Sequence, residues 1–158
     1  MEKVAKFEYV SNKQYLEDAG CNLPQVALPK RATSGSAGYD IIAPFDIVLK
    51  PGETIKVPTG LRCKISDGWV MFILPKSGLG FKYRTQLDNT VGVIDADYYN
   101  ADNEGHIMIK LTNDTHEGKT LEVSAGKAFC QAIFLPFGIT VDDRAEGERK
   151  GGFGSTNA

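Results

Sequence analysis

Cysteine is scarce in this sequence: Cys21, Cys63 and Cys130 are an odd number, far apart and without a C-x-x-C pair. That speaks against a disulfide framework and favours a reducing compartment. Histidine is scarcer still. His106 and His116 stand in polar stretches with no cysteine nearby, so zinc-ligand spacing is missing and a histidine-based triad is hard to assemble. No apolar run approaches the roughly 20 residues of a membrane helix, and the start Met1-Glu2-Lys3 does not open a signal peptide. Nor is there a basic excess. Eighteen Lys and Arg against twenty Asp and Glu leave a net charge of −2, which argues against binding along nucleic-acid backbone. The expectation is a cytoplasmic protein with no nucleic-acid or membrane partner. Any chemistry here must be run by carboxylates and backbone amides, with or without a hard metal ion.

What is present fits one domain. A chain of 158 residues has little room for a second, and 42% hydrophobic residues are enough for an ordinary core. Seventeen Gly and seven Pro punctuate short apolar stretches at 45–49, 54–57, 61–65, 69–74, 107–111 and 129–134. Leu61, Cys63 and Ile65 alternate with Arg62 and Lys64, the period of a half-buried strand. The last stretch is almost continuously apolar and is expected to be central. Short strands with frequent turn signals predict an all-β sandwich or barrel. One helix is expected near the N-terminus, from an N-cap Ser11 with Gln14 three residues on as a capping box. Tyr15, Leu16 and Ala19 would share one side, and Gly20 would be the stop.

Five segments can carry chemistry. The small-residue run Ser34-Gly35-Ser36-Ala37-Gly38-Tyr39-Asp40 lets backbone approach a ligand, or is a turn entering a strand. Pro75-Lys76-Ser77-Gly78-Leu79-Gly80 offers a cation, a hydroxyl and Gly-freed amides to phosphate oxygens, without a Walker A pattern. In Asn89-Thr90-Val91-Gly92-Val93-Ile94-Asp95-Ala96-Asp97-Tyr98, alternation puts Asp95 and Asp97 on one face, where two carboxylates can orient a water or a metal's hydration shell. The alternative is a solvated strand end. Gln131 lies inside an apolar strand and must find hydrogen-bond partners, which backbone usually supplies. The end, Arg149-Lys150-Gly151-Gly152-Phe153-Gly154-Ser155-Thr156, adds cations, hydroxyls and an aromatic to what is otherwise a glycine-rich tail.

In this order and spacing the five segments resemble the five motifs of the trimeric dUTP diphosphatases (dUTPases) of bacterial or phage type, over nearly all of the chain after Leu28. The resemblance implies a distorted jelly roll over 1–148, a tail over 149–158 that closes over a site of the trimer, and a homotrimer whose sites are shared between chains. The implied reaction is Mg²⁺-dependent attack of water on the α-phosphorus of dUTP, giving dUMP and pyrophosphate. That reaction keeps uracil out of DNA and supplies dUMP for thymidylate synthesis. Asp95 matches the carboxylate that activates water, and Tyr98 the ring beneath the deoxyribose that rejects a 2′-hydroxyl. Asn89, Val93 and Ile94 match the uracil-reading segment, and Met108 a pocket position. Lys76, Ser77, Gly78 and Gln131 match phosphate-facing positions. Arg149, Phe153, Gly154, Ser155 and Thr156 match the closing tail. Mg²⁺ would be held by the triphosphate with no direct protein ligand, and Asp40 would stand in its outer shell.

Three positions and one segment depart from the family pattern. Lys76 stands for the usual Arg, Ala128 for a common Arg, and Arg149 is one residue nearer the Gly pair than in many relatives. Residues 99–104 occupy a place where many relatives have one residue, and are expected to form a surface loop beside the site. Two alternatives accompany this reading. dCTP deaminase shares the implied fold but needs proton-transfer groups set against the cytosine amine. A dUTP-switched regulatory protein, with a protein partner if phage-encoded, would use the 99–104 segment.

Overall fold

The computed structural model describes residues 1–152. Among them are strands β1 (Ala5–Tyr9), β2 (Lys30–Arg31), β3 (Tyr39–Ile42), β4 (Ile47–Leu49), β5 (Thr54–Pro58) and β6 (Leu61–Ile65). They continue with β7 (Trp69–Pro75), β8 (Thr85–Leu87), β9 (Gly92–Ile94), β10 (Met108–Asn113), β11 (Leu121–Val123) and β12 (Ala128–Pro136). Helices α1 (Asn12–Ala19) and α2 (Ser77–Tyr83) and a 3₁₀ helix (Ala96–Asn100) complete the described chain. The protein is all-β and jelly-roll-like, and its largest sheet runs β2-β3-β12-β7-β9. As its apolar sequence required, β12 is the middle strand, hydrogen-bonded to both β3 and β7.

Period-2 patterning sets which faces are inside. In β6 Leu61, Cys63 and Ile65 are buried and Lys64 is exposed. They join Ile41, Met71, Ile73, Ile107, Leu111, Leu121 and Phe129 in one core. Complete burial of side chains this size contributes about 1.5–3 kcal/mol each. No helix among the described residues is long and apolar enough to cross a membrane.

Helix α1 forms over the expected residues. The Ser11 hydroxyl accepts from the Gln14 N–H at 3.1 Å, and Gly20 ends the helix at φ 70°. Two details differ from the capping-box reading. The Gln14 side chain turns to Asp18, and the Ser11 N–H donates to Glu104 at 2.7 Å instead. Leu16 is exposed while Tyr15 is buried against Gly60, where a Cβ would lie 2.8 Å from the ring. Gly60 is therefore required twice over, by that contact and by its φ of 72°.

Two helical segments were not expected from the sequence. Glycines at 78 and 80 argue against a helix, yet α2 forms because Leu79 and Tyr83, one turn apart, both pack on the core. The 3₁₀ helix likewise replaces the strand continuation expected through Asp95 and Asp97, because Tyr98 and Ala101 turn inward there.

Candidate active site

The anticipated site residues fall into three groups. The first lies at the C-terminal end of β7. Asp40 and Gln131 are direct cross-strand neighbours on β3 and β12, and Gln131 is opposite Leu74 of β7. Lys76 follows β7 and places Nζ 2.6 Å from Asp40 Oδ1. Gln131 donates from Nε2 to the Pro75 carbonyl at 3.2 Å, the backbone partner an apolar strand demands of it. Its Oε1 faces Gly38, where a Cβ would come within 2.4 Å. The glycine of the first segment therefore makes room for the glutamine of the fourth. Ser77 and Gly78 open α2, whose first amides have no intrahelical acceptors, with Lys76 as N-cap. A cation, a hydroxyl, a carboxamide and helix-start amides meet at one strand end.

The second group lines a pocket of ≈ 430 Å³, within the range of small-ligand sites. Asn89, Val93, Ile94 and Met108 border it, with Ile73 and Leu87 as apolar wall. Asn89 sits in the β8–β9 turn, where the Val91 N–H donates to its carbonyl at 2.7 Å and Thr90 takes φ 68°. Gly92 lets β9 approach β7 closely, since a Cβ would meet Ile73 Cβ at 3.0 Å. Asn89, Val93 and Ile94, which the resemblance matches to the base-reading segment, and Met108, which it matches to a pocket position, border one and the same cavity.

The third group follows directly on β9. Asp95 caps the 3₁₀ helix in extended backbone (φ −78°, ψ 156°) without a side-chain capping bond, so its carboxylate is left for other work. Asp95 and Asp97 do face one side, though through the helical turn rather than strand alternation. Arg149 joins them: Nη2 lies 2.6 Å from Asp95 Oδ2, and Nε 3.1 Å from Asp97 Oδ1, in ion-pair range but outside hydrogen-bond geometry. The Arg149 guanidinium also stands 5.6 Å from the Tyr98 ring centre. Tyr98 is buried, and burial raises its phenol above the usual 10. Its hydroxyl donates to the His106 carbonyl at 2.6 Å. Phe153, Gly154, Ser155 and Thr156 lie outside the described residues.

Two features were missed in the sequence. His106 is wholly buried rather than in polar surroundings. Its Nε2 accepts from the Gly60 N–H at 2.8 Å, so the proton is on Nδ1 and faces Asp18 Oδ2 at 2.5 Å. Burial lowers its pKa from the usual 6.5 despite Asp18, which acts the other way. Segment 99–104 is no plain surface loop. The Arg62 guanidinium stacks 3.5 Å from the Tyr99 ring centre, and the Tyr99 hydroxyl donates to Glu8 at 2.5 Å. Ala101 is buried, and both Glu104 oxygens are held by Ser11, which lowers that carboxyl's pKa. The turn signature Asn103-Glu104-Gly105 was the available hint.

A jelly roll with an apolar slot next to paired carboxylates, and a cationic strand end besides, is the build of a nucleotide-handling enzyme. Comparison with known proteins narrows the class. The family profile described as dUTPase matches residues 24–157. A "deoxyuridine 5'-triphosphate nucleotidohydrolase" of Lactococcus lactis is 40% identical over 159 residues, covering 99% of each chain. The crystal structure of a dUTPase from Streptococcus mutans superposes with TM-score 0.65 at 33% identity, over 87% of this chain and 98% of that one. A mutant dUTPase from phage phi11 of S. aureus shares the fold with TM-score 0.66 at 19% identity, over 92% of this chain and 98% of that one. That structure is described for its coordination of a structural Mg(II) ion. The chain belongs to the dUTPase family.

Proposed function

We propose that this protein hydrolyses dUTP to dUMP and pyrophosphate in the cytoplasm, as a homotrimer whose sites draw on more than one chain. The observation that carries the reaction is the continuity of β9. Val93 and Ile94 line the pocket and Asp95 follows at once, so a uracil held in the slot directs the rest of its nucleotide toward the carboxylate. Main-chain groups around Asn89 read the base, and the Tyr98 ring floors the sugar. Asp95 orients the attacking water and takes its proton. In the free protein the Asp95 carboxylate is held by Arg149. A triphosphate offers that guanidinium a stronger partner, and its departure frees Asp95 to act as base. Lys76, Ser77, Gly78 and Gln131 bind the phosphates, and the tail with Phe153, Gly154, Ser155 and Thr156 closes the site.

The donor chemistry fits a Mg²⁺ carried by the triphosphate. No three His, Cys, Asp or Glu side chains converge as a metal cage among the described residues. Mg²⁺ commonly keeps its waters and binds through substrate phosphates plus one or two carboxylates. Asp40 gives one oxygen to Lys76 and can offer the other to a water of the hydrated ion. When bound, the ion neutralises charge developing on the pyrophosphate.

Sharing of sites is supported by the sheet. Ile94 pairs with Met71, which puts Asp95 level with Val70, whereas Lys76 follows the other end of β7. Six residues of strand make about 20 Å, too far for both groups to serve one α-phosphate. Phe137, Ile139 and Val141 are exposed apolar side chains beyond β12 that an assembly would cover. Incubation with dUTP, UTP and dCTP, reading pyrophosphate and ammonia, tests the reaction. Pyrophosphate from dUTP alone is expected; ammonia from dCTP would make the protein a deaminase.

A further inference from the structure

We propose that Asn103 is a positioning residue for sugar discrimination, fixing the ring of Tyr98 against the substrate's 2′ position. This rests on the reading of Tyr98 as the floor of the sugar site. Tyr98 stands in a 3₁₀ helix of five residues, Ala96–Asn100. Such helices have poorer hydrogen-bond geometry than α-helices, and the Tyr98 ring is held chiefly by its packing in the core, with the phenol end fixed separately. The hydroxyl end has two anchors among the described residues. It donates to the His106 carbonyl at 2.6 Å and accepts from Asn103 Nδ2 at 2.9 Å.

The amide of Asn103 is itself oriented. Its Oδ1 accepts from the Gly105 N–H at 3.2 Å, and its carbonyl accepts from the His106 N–H at 3.1 Å. The opposite amide orientation would set two donors against each other at Gly105, so Nδ2 is the group that meets the phenol. Gly105 at φ 70° brings the chain so close that a Cβ would lie 2.6 Å from the Tyr98 carbonyl oxygen. The tail crosses the same spot. A methyl group on Gly152 would lie 3.3 Å from Asn103 Nδ2 and 3.7 Å from Tyr98 Cε2, and the Asp102 N–H donates to the Lys150 carbonyl at 3.0 Å.

Rejection of a 2′-hydroxyl is steric, and repulsion is steep in distance, so its strength depends on how little the ring can give. With Asn103 removed, the phenol loses one of these anchors and gains freedom to pivot. A substrate without the hydroxyl has nothing to push against the ring. UTP does, and it gains from the slack.

The test is the ratio of kcat/KM for dUTP over UTP in Asn103→Ala, Asn103→Ser, Tyr98→Phe, Tyr98→Ala and the double variant Asn103→Ala/Tyr98→Phe, with folding followed by thermal melting. The expected result is a roughly three- to tenfold fall in the ratio for Asn103→Ala, the scale of one hydrogen bond, arising from a higher kcat/KM for UTP. Asn103→Ala should add nothing in the Tyr98→Phe background, where the hydroxyl it holds is gone. A merely structural role would lower the melting temperature and leave the ratio alone. If Asn103→Ala and Asn103→Ser keep the wild-type ratio while Tyr98→Ala lowers it, the proposal is overturned. Full additivity with Tyr98→Phe overturns it as well. An unchanged ratio in Tyr98→Ala removes the sugar-floor reading, and this proposal with it.

Discussion

Mixed assemblies give the most direct measure of whether one chain can complete a site. Consider two defective chains, one carrying Asp95→Asn, the other Lys76→Ala with Ser77→Ala. Each alone should be nearly inactive, the first for want of a base and the second for want of a grip on the phosphates. Along β7 the two groups are separated by the run from Val70 to Lys76, about 20 Å, while a catalytic base must come within about 3 Å of its proton. On the proposed sharing of sites, a working site takes Asp95 from one chain and Lys76 from another. In a closed ring built at random from chains mixed at fraction p, intact sites occur with frequency p(1 − p), which peaks at about one quarter for equal mixing. Co-refolding at several ratios, with assembly composition checked by native mass, should give a parabola reaching about 25% of wild-type turnover. Tail exchange can be read in the same way by pairing Asp95→Asn with a chain lacking residues 149–158. In the substrate-free chain Arg149 contacts Asp95 of its own chain, so recovery in this pair requires the tail to leave that contact for a neighbour's site. No recovery places tail and Asp95 of a site on one chain. A flat line near zero across confirmed mixed assemblies, for the Lys76 pair, would refute the spacing argument.

Three further outcomes are expected. Asp95→Asn should still bind dUTP but lose about 10²–10⁴ in kcat, the usual cost of removing a general base, and turnover within about threefold of wild type would exclude that role. Gly38→Ala should displace Gln131 Oε1, which a Cβ would approach to 2.4 Å. KM for dUTP should then rise several-fold while stability changes by less than about 1 kcal/mol, because only a flexible side-chain end must move; an unchanged KM would detach Gln131 from the phosphates. His106 predicts a pH effect on folding. Its folded pKa lies below 6.5, so below that pH the unfolded state binds more protons and stability falls as pH drops toward the folded value. Denaturant midpoints compared between pH 7.5 and 5 should show this loss, above the range where Glu8, Glu104 and Asp88 titrate; equal midpoints would contradict it.

Much of the fold is written in local sequence. Alternation in Leu61–Ile65, the apolar run of β12 and the Ser11 to Gly20 signals each depend on chemistry within one element, so reading them needs no neighbours. One wall of the apolar pocket is also local, because Asn89, Val93 and Ile94 lie in one turn and strand. The resemblance of the five segments supplied the candidate residues, and the sheet brought them together only in part. Which group stands at which end of β7 follows from strand order and register, and these are set by packing among elements distant in sequence. Helix α2 formed against its glycines because burial of Leu79 and Tyr83 outweighs weak propensity. His106 gave no sign of its buried role, since its partners Asp18 and Gly60 are 88 and 46 residues away. Asn103 and Glu104 looked like an ordinary turn for a similar reason. Their amide and carboxylate acquire function only where the tertiary fold sets them against Tyr98 and the start of α1.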